Sequence, residues 1–304
     1  MSYSVKEFTL NTGAKIPAVG FGTWKAAPGD AEKSVLCALA SGYKHIDCAP
    51  LYYNEPEVGR AFAKSPVPRS EIFVTTKLWS SDHQRVEEAL NKSLADLQLE
   101  YVDLYLMHWP VSLDSDTGAE YGKEDRTVHS KNWDFTKTWA LMEKLVESGK
   151  VKAIGVCNCS TVNLEKLLKT AKITPAVNQT ELHPLLPQDK LNAMCKEKGI
   201  HQTAFGPLGG SGSTMHTEPT LVEIGERRGK TPAQVMLSWG VQKGWSVLPK
   251  SVNPGRIKAN LEIFDLTDEE MAKVDTLAQI KGKRFNVPNW GVDIFHDDEG
   301  LNLQ

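Results

Sequence analysis

The sequence is poor in cysteine, lacks long apolar runs and carries no excess of one charge. Its five cysteines are Cys37, Cys48, Cys157, Cys159 and Cys195. An odd, scattered set argues against a disulfide framework and for reduced thiols inside a cell. Cys157 and Cys159 stand as C-x-C, but no second Cys or His pair follows at zinc spacing, so no metal is expected. No stretch approaches the ~18 apolar residues that a membrane-spanning helix needs. The opening MSYSVKEFTLNTG has neither the basic segment nor the apolar core of a secretory signal. These absences lead to the expectation of a cytoplasmic protein with no membrane partner. The net charge of -3 offers no general attraction to nucleic acid, so any cationic site must be local. Also missing is G-x-G-x-x-G, the phosphate-binding opening of the doubly wound dinucleotide fold.

What remains is an ordinary globular composition, 40% hydrophobic and 24% charged. Short apolar runs alternate with amphipathic stretches. GFGT (20–23), KHID (44–47), EIFVTTK (71–77), YVDLYLMH (101–108), VKAIGVCN (151–158), TPAVNQ (174–179), HQTAFG (201–206) and WSVLPK (245–250) read as strands. Helical patterns fall at 54–64, 83–98, 137–150, 161–171, 188–199 and 231–242. In the second of these, Val86, Ala89, Leu90, Leu94 and Leu97 share one face. Such alternation implies a parallel sheet. Eight units in 304 residues, without the dinucleotide fingerprint, favour an α/β (β/α)8 TIM barrel over a doubly wound sheet. FTLNTGAKIPAVG reads separately as a hairpin around Asn11-Thr12-Gly13, a plug across the barrel bottom. No linker, repeat or low-complexity segment marks a second domain, so residues 1–304 are expected to form one domain with long substrate-side loops.

A barrel of this kind does its chemistry at the C-terminal ends of several strands. Three strands here end in ionisable groups: Asp47, Lys77 and His108. They are spaced by about one βα unit and should converge on one mouth. Tyr52 follows Asp47 closely and can fold back over the same point. One ionisable residue at a strand end is more often a structural ion pair or a helix cap than a catalyst. Four together fit a defined chemistry. Tyr is an ineffective acid at neutral pH, with an ordinary pKa of ~10. An ammonium such as Lys77, held by Asp47, would lower that pKa. The phenol could then protonate a carbonyl oxygen as hydride reaches the carbon, with His108 orienting that oxygen or sharing its proton. Trp24, Trp79 and Trp109 each follow a strand end. Each alone reads equally well as core filler; at the same mouth they read as walls of a small-molecule pocket. The loop from Val111 to Asp134 and the tail from Arg284, with Trp290 and Phe295, are the other candidate walls.

At these residues the chain resembles the aldo-keto reductase superfamily. The resemblance rests on GFGTWK (20–25), HIDCAPLYYNEPEVG (45–59), FVTTKLW (73–79), DLYLMHWP (103–110), VNQTELHP (177–184) and VLPKSVNPGRIKAN (247–260). It implies NADPH-dependent reduction of an aldehyde or ketone, with Tyr52 as general acid, Lys77 and Asp47 tuning it, and His108 orienting the substrate. It also implies NADPH/NADP+ contacts from Thr23, Trp24, Asn158, Gln179 and Leu208, with Phe205 in place of the Tyr that stacks on nicotinamide. Lys250 and Arg256 set two cations beside Ser251 and Asn253, near the start of a helix around Pro254, which suits a phosphate group. By the resemblance this segment grips the adenosine 2'-phosphate, with Asn260 on adenine. Cys157 and Cys159 replace a Ser and a Phe of the usual pattern, and Ala259 a frequent Glu. The segment from Phe205 to Gly212 is unusually Gly-rich and is expected to be mobile.

The tail NVPNWGVDIFHDDE resembles fungal members acting on glyceraldehyde, glycerol, pentoses or uronic acids, a weak cue to substrate. Many relatives are monomers and some fungal ones dimers, so a monomer is expected. A different class, a cofactor-binding regulatory subunit like the potassium-channel β-subunits, keeps much of the same set; the lack of a long N-terminal extension favours the free enzyme. A phosphate-binding barrel isomerase would use the Lys250–Arg256 segment on a sugar phosphate and turn over without nicotinamide.

Overall fold

The computed structural model describes residues 6–113, 132–210 and 212–297. Most of the Val111–Asp134 loop, residues 114–131, lies outside the described residues. Two short strands, β1 (Glu7–Thr9) and β2 (Lys15–Pro17), pair antiparallel. Eight more follow: β3 (Phe21–Gly22), β4 (His45–Asp47), β5 (Phe73–Leu78), β6 (Leu104–Met107), β7 (Ile154–Cys157), β8 (Val177–Glu181), β9 (His201–Phe205) and β10 (Ser246–Leu248). They pair in sequence order, each parallel to the next. The ring closes where Val19 bridges Val247 in parallel and the Gly20 N–H donates to the Val247 carbonyl at 2.9 Å. Closure distinguishes a (β/α)8 barrel from the open doubly wound sheet.

The helices are α1 (Asp30–Ser41), α2 (Glu55–Lys64), α3 (Val86–Leu97), α4 (Phe135–Val146), α5 (Thr161–Leu168), α6 (Asp189–Glu197), α7 (Pro219–Arg228), α8 (Pro232–Gln242), α9 (Pro254–Ala259) and α10 (Asp268–Lys281). Among the described residues no helix is long and apolar enough to cross a membrane. The sequence reading passes over α1, α7 and α10. Helix α10 explains why: although a Thr267–Glu270 capping box starts it, its buried apolar face is only Val274 and Leu277, too sparse for a periodic signal.

Strand alternation sorts the core into two layers. Outward residues such as Val74, Leu78, Tyr105, Met107, Ile154 and Val156 pack beneath the helices in one large apolar cluster. Inward residues change character along β5. They run Phe73, Thr75, Lys77, from an apolar floor to a charged rim. The floor joins Phe73, Leu104, Leu106, Ala153 and Val177 to Leu10 and Ile16 of the β1–β2 hairpin. The hairpin is thus the plug, and Asn11 ties its turn to the Pro175 carbonyl at 3.0 Å. Above the floor His45 Nε2 meets Thr75 Oγ1 at 3.0 Å. Burial, then the nearby Lys77, holds the His45 ring down at about 3, so it is neutral.

Candidate active site

The strand ends bring four of the sequence-derived groups together. Asp47 closes β4 and Lys77 lies on β5, adjacent strands in the ring. Lys77 Nζ donates to Asp47 Oδ1 at 2.6 Å, to the Cys48 carbonyl at 2.9 Å and to the Tyr52 hydroxyl at 3.1 Å. Tyr52 ends a single 3-10 turn, Pro50–Tyr52, which folds it back over the barrel. Its ring stands edge-on to His108, with centroids 6.0 Å apart. Asn54 fixes the next bend by donating to the Thr23 carbonyl at 2.9 Å. Thr23 in turn donates its hydroxyl to the Asp47 carbonyl at 2.8 Å.

Burial opposes the charge on Lys77, but Asp47, with Tyr52 and Cys157 adding to it, outweighs burial, and the ammonium is held above its ordinary range. Burial raises the Tyr52 phenol, and Lys77 pulls it back without cancelling the rise. The sequence alone leads one to expect a lowered phenol. The difference has a physical cause: burial withdraws water from the phenol, and Asp47, close against the ammonium, offsets part of its field at Tyr52. Tyr52 is therefore fully protonated at neutral pH, with a cation placed to stabilise the phenolate left by proton loss. Burial and then Lys77 hold the His108 ring well below its usual value. As a neutral imidazole, His108 can donate one N–H to an oxygen but carries no second proton to deliver.

A cavity of about 440 Å³ opens over this set, lined by Asp47, Tyr52, His108, Trp24 and Trp109 together with Asn158, Gln179 and Phe205. Asn158 has left-handed backbone, φ 56°. Its Nδ2 donates to the His108 carbonyl at 2.9 Å, and its buried Oδ1 has no hydrogen-bond partner. Gln179 Nε2 is committed to Asp47 Oδ2 at 2.8 Å, which leaves its carbonyl oxygen for a ligand. Two carboxamide oxygens on residues that line one cavity suit the N–H groups of a primary amide.

Further along, the cavity is lined by Leu208, Gly209 and Gly210 on one side and by Gly22, Lys25, Pro249 and Lys250 on the other. Gly209 has φ 82°, and a Cβ there would lie 2.3 Å from Ser213 Oγ. Glycine in this segment thus serves a tight turn, closed by Gly209 N–H to the Gly206 carbonyl at 2.8 Å. Lys250 donates to the Lys25 carbonyl at 3.0 Å. Burial pushes the Lys250 ammonium down; the like charges of Arg256 and Lys25 add to this, against Asp30. Cations crowded at one end of a cavity favour an anion.

Not every sequence-derived residue faces the cavity. Trp79 and Trp290 are buried behind its wall: Trp79 stands edge-on to His108 at 5.3 Å, and Trp290 edge-on to Trp109 at 5.2 Å. Asn253 caps α9 by accepting from the Arg256 N–H at 3.0 Å, and Ser251 Oγ accepts from the Asn253 N–H at 3.1 Å. Arg256 is exposed on α9, and Asn260 is buried at its end. Cys157 is buried among the floor residues, and burial raises its thiol. All five cysteines are free, and among the described residues no three His, Cys, Asp or Glu side chains could together hold a metal ion. Lys25 and Asn286 line the cavity although the sequence reading does not single them out. Lys25 was signalled only as a cation after Trp24; Asn286 had no local signal.

Residues 18–279 match the family model described as Aldo/keto reductase family. The chain belongs to the aldo/keto reductase family. Glycerol 2-dehydrogenase (NADP(+)) of Saccharomyces cerevisiae is 50% identical over 298 residues, covering 94% of this chain and 96% of that protein. Aldehyde reductase YPR1 of the same yeast is 48% identical over 293 residues, covering 93% and 94%. The solved aldose reductase of Giardia lamblia superposes with a TM-score of 0.85 at 39% identity, covering 91% of this chain and 97% of that one. As an aldo/keto reductase, the chain is an oxidoreductase of carbonyl compounds. The hydrogen-bonded Asp47, Lys77 and Tyr52 lie in the part of it that matches the family model.

Proposed function

We propose that this chain reduces a small aldehyde or ketone, of the sugar, glyceraldehyde or uronate type, to the alcohol with NADPH, and that Tyr52 is the general acid. The buried run from Asp47 through Lys77 to the Tyr52 hydroxyl, opening into an aromatic-walled cavity beside a neutral His108, carries this reading. Bound NADPH supplies the hydride. The chain's own residues do the rest. The carbonyl oxygen sits between the Tyr52 hydroxyl and an N–H of His108. Charge developing on that oxygen draws the Tyr52 proton, and Lys77 stabilises the phenolate that remains. Asp47 keeps Lys77 charged at the reacting end. Trp24 and Trp109 exclude water and limit substrate width.

The cofactor fits the residues present. Asn158 and Gln179 offer carboxamide oxygens to the nicotinamide amide, and Phe205 offers a ring face. Trp24 and Leu208 border the path between the two ends, and Thr23, its hydroxyl committed to the Asp47 carbonyl, supports that wall from behind. Lys250, Arg256, Ser251 and Asn253 hold the 2'-phosphate, joined by Lys25, while Asn260 serves adenine. Asn253 contributes through Nδ2 or its backbone, because its Oδ1 is spent on the cap.

The test is the loss of NADPH absorbance with DL-glyceraldehyde, run beside NADH, for the wild type and Tyr52→Phe. The wild type should oxidise NADPH faster than NADH. Tyr52→Phe should lose at least ~100-fold in kcat while still binding NADPH by fluorescence. Unchanged kcat sinks the acid assignment. NADPH binding without turnover of any carbonyl would favour a regulatory subunit, and the yeast relatives' names would then be poor guides to this chain.

A further inference from the structure

We propose that Glu181 is a positioning residue that sets the C-terminal wall of the cavity and thereby the choice between long and short carbonyl substrates. This rests on the reading of the cavity as a reductase site. Glu181 ends β8 two residues beyond Gln179, so it shares the inward face at the barrel rim. It is 1% exposed. Its Oε1 accepts from the Phe285 N–H at 2.7 Å and meets His183 Nε2 at 2.9 Å. Its Oε2 accepts from the Asn286 N–H at 2.8 Å and from Asn286 Nδ2 at 2.7 Å. Burial pushes this carboxyl up, but His183, the Phe285 amide and Asn286 together carry it below its ordinary value. Hydrogen bonds to an ionised acceptor are about twice as strong as neutral ones. One buried charge thus gathers the start of the tail, more than a hundred residues away in sequence.

The gathered residues reach the cavity. Asn286 lines it. Phe285 packs on the turn that forms another wall, so closely that a Cβ at Gly210 would lie 2.9 Å from its own Cβ. Beyond them the tail is an apolar span behind the wall, with Trp290 and Ile294 in one cluster with Trp79 and Trp109. The far end is tied down separately: Asp297 accepts from the Thr161 N–H at 2.7 Å and its hydroxyl at 2.5 Å. The span is therefore held at two points, and Glu181 is the point nearer the cavity. Glu181 makes no hydrogen bond to Asp47, Lys77 or Tyr52 and does not line the cavity. Its loss should be read in how far the site reaches along a substrate rather than in the proton-donor geometry.

Two variants and two readouts test this. Glu181→Gln keeps the shape but presents an N–H to one of the tail donors. Asn286→Asp keeps the size of this cavity-lining side chain but turns its donor to Glu181 into a carboxylate oxygen, and stands in if the first variant fails to fold. Each should lower the ratio of kcat/KM for the longest aldose or uronate turned over to that for glyceraldehyde about tenfold, chiefly through KM. Hydrogen exchange at the Phe285 and Asn286 amides should quicken in Glu181→Gln, with β4 to β8 unchanged. An unaltered ratio in both variants overturns the proposal. If the wild type turns over no carbonyl, the reductase reading has failed, and hydrogen exchange alone decides: amides as protected as in the wild type then overturn the positioning role.

Discussion

Gln179 donates its Nε2 to Asp47 Oδ2 at 2.8 Å, on the other side of the carboxylate whose Oδ1 receives Lys77 at 2.6 Å. Each oxygen of Asp47 therefore has a buried donor. The residue that faces the proposed nicotinamide site and the cation that donates to the Tyr52 hydroxyl are held by one carboxylate. Loosening either donor should therefore disturb the hold on the other.

Asp47→Asn tests the pair. Lys77 would be left charged, buried and without a counter-charge. Removing one partner of a buried ion pair costs about 3–5 kcal/mol. Urea denaturation should show a loss of that size, and folded Asp47→Asn should turn over more slowly with its Tyr52 proton still in place. A variant as stable and as active as the wild type would show that the ion pair contributes to neither.

Arg256 tests the choice of cofactor. It is exposed on α9, beyond the cavity end bordered by Lys25 and Lys250. Arg256→Ala should weaken NADPH about tenfold or more, as befits a charge-assisted contact, and NADH by less than about twofold. Fluorescence titration with both cofactors reads the difference directly. Equal losses for the two would remove Arg256 from the 2'-phosphate site.

Glu55 provides a pH test away from the chemistry. Its carboxylate is buried at the start of α2 and accepts from Thr76 Oγ1 and, at 2.9 Å, from Ser93 Oγ. Burial raises it to about 6, against the hydrogen bonds of Thr76 and Ser93. A raised carboxyl binds its proton more tightly in the folded chain than in the unfolded one. Its favourable contribution is present below the ordinary value of 4.5 and is lost as pH rises through about 6. Relative to Glu55→Gln, the wild type should therefore lose about 2 kcal/mol of stability between pH 4 and pH 7.5. A constant difference between the two unfolding free energies across that range would show that Glu55 titrates normally.

Much of the fold is legible along the chain because it is written in local periods. Apolar runs that end in Asp47, Lys77 and His108 mark both the strands and their C-terminal ends. Amphipathic stretches such as 83–98 mark the covering helices, with boundaries off by a few residues because helix ends depend on capping and packing. Helix α10 escapes this reading because its inward face holds few apolar residues.

The candidate site divides in the same way. By itself the sequence determined which residue types stand at the strand ends, and a barrel's regular spacing then sends them to one mouth. Only the tertiary structure decided which atoms remain available there. Asn253 Oδ1 is spent on a helix cap, Gln179 Nε2 on Asp47, and Trp79 and Trp290 stand behind the wall rather than in it. It also decided the direction of the Tyr52 shift, since burial and the neutralising carboxylate are properties of packing. Glu181 meets the tail across an interval that no local period spans. Contacts of that kind depend on how the whole ring closes, and so they exist only once the barrel has formed.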